Sequence, residues 1–151
     1  MEINQPKKSY HEPMHTAEHI LNQTMIRIFG TERSVTNHIE KKKSKCDYRF
    51  DRALTPEEIK TLEGEVNRII AQNLEVTENF VSKSDAKEHY NLTKLPEGVG
   101  DTLRIISVGD YDHCPCIGAH VSNTSEIGAI EIFSFDFNPE IGMLRLRYRL
   151  K

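Results

Sequence analysis

The chain has 151 residues, of which 37% are hydrophobic and 28% charged, and its formal net charge at pH 7 is −3. This composition is typical of a globular protein, and the length favours one domain spanning residues 1–151. The negative net charge excludes a uniformly basic surface, so an RNA contact has to come from a local basic segment. The start of the chain lacks a secretory signal, no apolar run approaches the roughly 20 residues of a membrane span, and the cysteine count is odd. We therefore expect a cytoplasmic protein that neither enters a membrane nor depends on disulfides.

Two helices have clear boundaries in the sequence. A loose polar lead-in is expected over residues 1–12, and the first helix lies between Pro13 and Gly30, residue types that favour a helix start and end. The second helix begins at Thr55, which can form a capping box with Glu58, and continues to residue 73. The weaker patterns that follow predict a short helix over Ser84–Tyr90 and a loop over Leu92–Gly100.

Alternating or continuous apolar residues predict the strands, which are Ser34–Ile39, Lys43–Asp51, Leu74–Val81, Leu103–Val108, Gly128–Phe137 and Met143–Leu150. Helices and strands do not alternate regularly along the chain. This order favours an α+β fold in two layers, with a mainly antiparallel sheet and with helices packed on one of its faces.

Two pairs of residues are spaced like metal ligands. His15 and His19 lie four residues apart on the first predicted helix, so both imidazoles project from one face. Cys116 and His120 are also four apart, in a stretch that could be a loop or the first turn of a helix. Imidazoles and one thiolate suit Zn2+. A single pair of either kind is more often a coincidence of sequence than a metal site. The presence of two pairs does not decide between these two interpretations.

The residues around both pairs resemble one known family. The alanyl-tRNA synthetase editing domain and its free-standing AlaX-type relatives open with H-T-A-x-H-L-L, and residues 15–21 are H-T-A-E-H-I-L. The family's second motif, C-G-G-T-H-V, is similar to C-I-G-A-H-V at residues 116–121, and its T-G-E-I-G is close to T-S-E-I-G at residues 124–128. Weaker similarities lie at residues 49–51, 54–58 and 103–111. The chain thus resembles the threonyl/alanyl-tRNA synthetase second additional domain family from Met14 onward.

The resemblance implies a fold, a cofactor and an activity. The family's zinc ligands correspond by position to His15, His19, Cys116 and His120. The implied activity is that of an aminoacyl-tRNA deacylase, which hydrolyses the ester bond of mischarged tRNA. The synthetase's other modules are not in this sequence, so we expect it to act in trans on the acceptor end of tRNA, on Ser-tRNA(Ala), Gly-tRNA(Ala) or both.

Two positions depart from the family and keep alternatives open. Ile117 and Ala119 replace the usual Gly and Thr of the second motif, in a loop that lies near the aminoacyl end in the family. One alternative is editing of Ser-tRNA(Thr), because the related threonyl branch shares the ligand pattern. A second is a catalytically silent, zinc-containing module that only binds tRNA. A third is a metal hydrolase of small molecules on the same scaffold.

Other side chains are weaker candidates for the site. Thr16 lies between two ligands and could bind a serine hydroxyl, although a helical threonine commonly bonds its own backbone. His38 could shuttle a proton or bind phosphate, or could be an ordinary surface histidine. The densest basic segment is the candidate for RNA binding, because phosphate contacts dominate RNA affinity, although a solvated charge run explains it equally well. Its residues are Lys41, Lys42, Lys43, Lys45 and Arg49.

Overall fold

The computed structural model describes residues 11–82, 84 and 102–151. Most of the expected lead-in lies outside these residues, as do the helix predicted at Ser84–Tyr90, apart from its first residue, and the loop predicted at Leu92–Gly100. The described part contains two α-helices and seven strands.

Both helices begin where the sequence indicates, and α1 also ends there. Helix α1 spans Glu12–Phe29, has a proline in its first turn and ends at Gly30, which adopts φ 69° and donates its N–H to the Ile26 carbonyl. A residue other than glycine would be strained in this left-handed conformation. Helix α2 spans Pro56–Ile70, three residues shorter at its end than predicted. Its capping box is formed, because the Glu58 N–H donates to Thr55 Oγ1 at 3.1 Å and the Thr55 N–H donates to Glu58 Oε1 at 3.0 Å.

All strand pairs are antiparallel, and they divide into two sheets. The strands are β1 Thr36–His38, β2 Ser44–Arg49, β3 Val76–Ser82, β4 Thr102–Val108, β5 Asp112–Pro115, β6 Ile130–Asn138 and β7 Met143–Leu150. The four-stranded sheet has the order β1-β2-β7-β6, and the three-stranded sheet has the order β3-β4-β5. The α+β prediction is confirmed, with the strands in two sheets and with β5 as a strand that the sequence analysis did not predict.

Helix α1 is the centre of the core. Every residue from Met14 to Asn22 is buried, so this helix has no solvent-facing side over two turns. The four-stranded sheet covers it with the alternate residues of β2 and β7, such as Cys46 and Leu146, which are fully buried. The hydroxyl of buried Tyr148 donates to the Met14 carbonyl at 2.9 Å. The side chains of α1 that face the three-stranded sheet therefore project from a rigid, buried helix.

In the part of the chain that the structure describes, neither helix combines the length and apolar character needed to cross a membrane.

Candidate metal centre

The two predicted ligand pairs meet in space. His15, His19, Cys116 and His120 each offer one ligand atom, and these atoms all lie within 4.8 Å of one another. The thiol Sγ of Cys116 lies 3.4 Å from Nε2 of His15 and 3.4 Å from Nε2 of His120. Helix α1 supplies the first pair from one face, and the loop after β5 supplies the second pair.

A network of main-chain contacts shapes the loop that carries the second pair. The Cys116 N–H donates to the Arg104 carbonyl at 3.1 Å, which extends the β4–β5 pairing by one residue. The guanidinium of Arg104 donates to the Gly118 carbonyl at 2.6 Å and to the Cys116 carbonyl at 3.3 Å, while its Nε donates to Glu78 at 2.7 Å. Arg104 therefore holds both ends of the turn that brings His120 back toward Cys116.

Each of the three imidazoles has its Nδ1 close to an oxygen outside the cluster. The Nδ1 of His15 donates to the Ala119 carbonyl at 3.0 Å. The Nδ1 of His120 lies 2.9 Å from Thr16 Oγ1, and that of His19 lies 3.4 Å from Asp112 Oδ2. An outer oxygen on one ring nitrogen is the usual partner of a metal-binding histidine. Nε2 of His15 and Nε2 of His120 both face Sγ of Cys116 at the centre of the cluster.

The spacing of the four groups fits zinc. Tetrahedral zinc with bonds of about 2.3 Å to sulfur and about 2.0 Å to nitrogen separates the sulfur from each nitrogen by about 3.5 Å. The two Sγ–Nε2 distances of 3.4 Å are close to this value. Three imidazoles and one thiolate also match the donor types that zinc prefers.

The charges within the cluster favour the ligand form of the thiol. Burial alone would raise the pKa of Cys116, but the His19 charge and hydrogen bonds from His120 and His15 bring it well below its ordinary value. Burial together with the His19 charge lowers the pKa of His120 to about 3, which makes that ring neutral at pH 7. Burial alone would lower the pKa of His19, but Cys116 and Asp112 raise it well above its ordinary value.

A buried aspartate behind the cluster was not found from the sequence. Asp112, the first residue of β5, is fully buried and receives two hydrogen bonds from Arg33, at 2.8 and 3.1 Å, and one from Gln23 at 2.9 Å. Burial would raise the pKa of its carboxyl group, but His19 and Arg33 lower it well below the ordinary range. Asp112 is thus an ionised group that faces Nδ1 of the His19 ring at 3.4 Å. The spacing of Asp112 from Cys116 equals that of the ligand pairs, but an aspartate at that distance is too common to single out.

A second buried carboxylate adjoins the cluster. Glu18 lies between the two ligands of α1 and is 6% exposed. Its two oxygens accept hydrogen bonds from the amides of Asn22 and Asn37, each at 3.0 Å. Its Oε2 lies 3.9 Å from Nε2 of His19. These contacts attach β1 to α1 beside the cluster.

Comparison with known proteins shows which family the chain resembles. Residues 103–140 match the family described as threonyl and alanyl tRNA synthetase second additional domain. The chain is 34% identical over 137 residues to the alanine–tRNA ligase of Methanococcus maripaludis strain C7, covering 89% of this chain and 15% of that ligase. It is 33% identical over 151 residues to the alanine–tRNA ligase of Aeropyrum pernix, covering 98% of this chain and 17% of that ligase. The chain is thus similar, over most of its length, to one part of these alanine–tRNA ligases, and it resembles an alanyl-tRNA synthetase editing domain. It spans less than a fifth of the length of these relatives.

The two departures from the family motif leave the loop's contacts intact. The Ala119 position acts through its carbonyl, which accepts from His15, and the neighbouring Gly118 carbonyl accepts from Arg104. Main-chain contacts do not require a particular side chain. This editing-domain-like chain therefore keeps the ligand geometry with alanine at a position where the motif usually has threonine.

The structure brings one of the two predicted catalytic residues to the cluster. Thr16 is fully buried, and its Oγ1 accepts the Val121 N–H at 3.2 Å in addition to its contact with the His120 ring. His38 is exposed and lies apart from the cluster, on the strand β1. Cys114 is not among the four clustered residues, and Cys46 is a core residue.

The predicted RNA-binding residues lie together on the hairpin of β1 and β2. Lys41, Lys42 and Lys43 are exposed in the turn, while Lys45 and Arg49 lie on β2. Their side chains are on the solvent side of the four-stranded sheet, since the alternate residues of β2 face α1.

Proposed function

We propose that the chain is a zinc-dependent aminoacyl-tRNA deacylase that hydrolyses the ester bond of mischarged tRNA, in particular Ser-tRNA(Ala) and Gly-tRNA(Ala). One observation carries the proposal: the residues that match the family's ligand motifs come together with their ligand atoms within 4.8 Å of one another, so that they could hold a metal ion. The similarity to alanine–tRNA ligases over most of the chain supports the alanine branch.

The need for such an activity follows from the limits of molecular recognition. A pocket for alanine discriminates only about 10–200-fold against an amino acid that differs by a methylene or hydroxyl group. Serine and glycine are therefore attached to alanine tRNA at a harmful frequency. A second, hydrolytic site removes them, and this reaction requires no ATP because ester hydrolysis is downhill.

The residues of the cluster have distinct tasks in this proposal. Zinc held by these residues would polarise the ester carbonyl or lower the pKa of a water molecule if it gained a fifth coordination position or released one of the four ligands. His15 and His19 are buried and form the inner side of the cluster, whereas Cys116 and His120 are only half-buried. The substrate would approach from the loop side, where Ala119 is exposed. Asp112 and Thr16 hold the rings in position, and Thr16 is thus proposed as a positioning residue.

The basic segment of the hairpin is the proposed contact with tRNA. Lys41, Lys42, Lys43, Lys45 and Arg49 would attract the phosphate backbone near the acceptor end. Because tRNA is a substrate of translation, the proposal includes a cytoplasmic location for this activity.

The decisive experiment measures deacylation of preformed substrates by zinc-loaded protein. We expect Ser-tRNA(Ala) and Gly-tRNA(Ala) to be hydrolysed at least about tenfold faster than Ala-tRNA(Ala), which is the selectivity that editing needs. Preference for Ser-tRNA(Thr) would instead assign the threonyl branch. Binding of tRNA without turnover would assign a silent module, and equal hydrolysis of small esters lacking RNA would assign a small-molecule hydrolase.

Thr16→Val tests the positioning role of Thr16. The change removes the oxygen that contacts His120 and leaves the Val121 N–H without its acceptor, at a cost of about 1–3 kcal/mol. We expect zinc affinity to fall and the hydrolysis of Ser-tRNA(Ala) and Gly-tRNA(Ala) to slow by the same factor, because the ring of a ligand is displaced. The measurements are a zinc titration and single-turnover rates on both substrates. A loss confined to the seryl substrate would show that Thr16 instead binds the serine hydroxyl.

A further inference from the structure

The solvent side of the four-stranded sheet contains a basic cleft. Its volume is about 240 Å³, and it is lined by His38, Glu40, Lys43, Ser44, Lys45 and Arg147. A space of this size holds several water molecules and therefore a phosphate group. Three of the lining residues are cationic at neutral pH, and Glu40 is the one acid among them.

The strand register aligns three nitrogen-bearing side chains across the cleft. His38 of β1 is opposite Lys45 of β2, and Lys45 is opposite Arg147 of β7. Directly opposed side chains have Cβ atoms about 4.5–5.5 Å apart, and like charges in this position destabilise a sheet. An anion between Lys45 and Arg147 would offset that repulsion.

Arg147 is the arginine of β7 that lines the cleft, and its guanidinium, although paired with Asp136, has further nitrogens that can bind an anion. Arg145 uses both Nε and Nη2 to bind Asp47, at 2.7 and 3.0 Å. The contacts of Arg147 to Ser134 and Asp136 both come from Nη1, at 3.1 and 3.0 Å. Within the described residues, its Nε and Nη2 are left to bind an oxyanion in a forked arrangement.

The cleft is separated from the metal centre by a single strand. On β1, the edge strand of the sheet, Asn37 donates to Glu18 beside the cluster, and the next residue, His38, lines the cleft. Successive side chains of a strand point to opposite faces. The strand β1 therefore has one residue beside the metal centre and the next residue at the cleft, which is the proximity that one bound polynucleotide would need.

We propose that the cleft binds a backbone phosphate of the tRNA whose aminoacylated end occupies the metal centre. Lys45 and Arg147 supply the charge, and His38 and Lys43 close the sides. This inference rests on the proposed function, but it assigns one site within the basic surface. Lys41 and Lys42, in the same turn, do not line the cleft and contribute only a general attraction.

The test compares two double variants with the same change of charge. Equilibrium binding of uncharged tRNA(Ala) is measured between about 50 and 200 mM salt. For Lys45→Gln with Arg147→Gln, we expect Kd to rise about tenfold and the log–log salt slope to fall by about 0.9, the amount for one lost phosphate contact. For Lys41→Gln with Lys42→Gln, which removes charge outside the cleft, we expect a smaller rise in Kd and a smaller fall in the slope. Glu40→Gln should tighten binding, because it removes the acid from the cleft.

A substrate without phosphates separates this inference from the proposed function. The seryl ester of adenosine should be hydrolysed equally well by the wild type and by the cleft variant, with equal zinc content and thermal stability. Failure of the wild type to hydrolyse either substrate would overturn the proposed function. Equal salt slopes and affinities in the two double variants would overturn the cleft alone. Slower hydrolysis of the adenosine ester by the cleft variant would also overturn the phosphate site. The two residues would then affect hydrolysis through the folded structure and not through a bound phosphate.

Discussion

Replacing Cys116 with serine is expected to remove zinc almost completely and to reduce deacylation at least about 100-fold. A serine hydroxyl stays protonated at neutral pH and does not replace a thiolate as a zinc ligand. The wild type should contain about one zinc ion per chain. The variant should contain close to none after dialysis, as measured by elemental analysis. Its melting temperature should no longer rise with added zinc, because a ligand stabilises only a protein that binds it.

Cys114→Ser is the matched control for this prediction. Cys114 lies two residues away, is half-buried and is not part of the cluster. Its zinc content and rate should remain near those of the wild type. His15→Ala should behave like the Cys116 variant, since its imidazole contacts the same sulfur. Full zinc content in both Cys116→Ser and His15→Ala would refute the four-ligand centre.

The parts of the fold that could be predicted from the sequence are those with local causes. The capping box of Thr55 and the glycine after α1 act within one or two turns, so each helix end is found to within a few residues. The spacing of His15 and His19 also suffices to place both on one side of a helix. For the second pair, the family resemblance was needed, because nothing local specifies how the loop after β5 folds.

The remaining features depend on contacts between distant segments. The two sheets arise from pairings such as β2 with β7, and no pattern within either strand specifies its partner. Arg147 joins the cleft only because β7 pairs with β2, so its relation to Lys45 is not visible in the sequence. Asp112 was missed for the same reason, since its partners Arg33 and His19 come from other elements.

Asp112→Asn is expected to weaken zinc binding about 10–100-fold, although Asp112 is not a ligand. The aspartate accepts from Arg33 with both oxygens and faces the His19 ring with one of them. An asparagine has a single oxygen and no charge, so it cannot serve both partners. The His19 ring would lose the carboxylate that fixes its orientation and strengthens Nε2 as a donor. Competition with a chromophoric chelator measures the resulting Kd.

The same substitution leaves the Arg33 charge without its partner in a nearly buried place, with its side chain 11% exposed. Breaking such a pair costs about 3–5 kcal/mol, which by itself could weaken zinc binding through unfolding. Arg33→Gln separates the two effects, because it breaks the pair but keeps the carboxylate beside His19. We expect both variants to lose stability in urea, whereas only Asp112→Asn loses zinc affinity when the comparison is made under conditions where both are folded. Equal zinc affinities in these two variants would reduce Asp112 to a structural partner of Arg33, and the orientation of His19 would then depend on the packing of α1 alone.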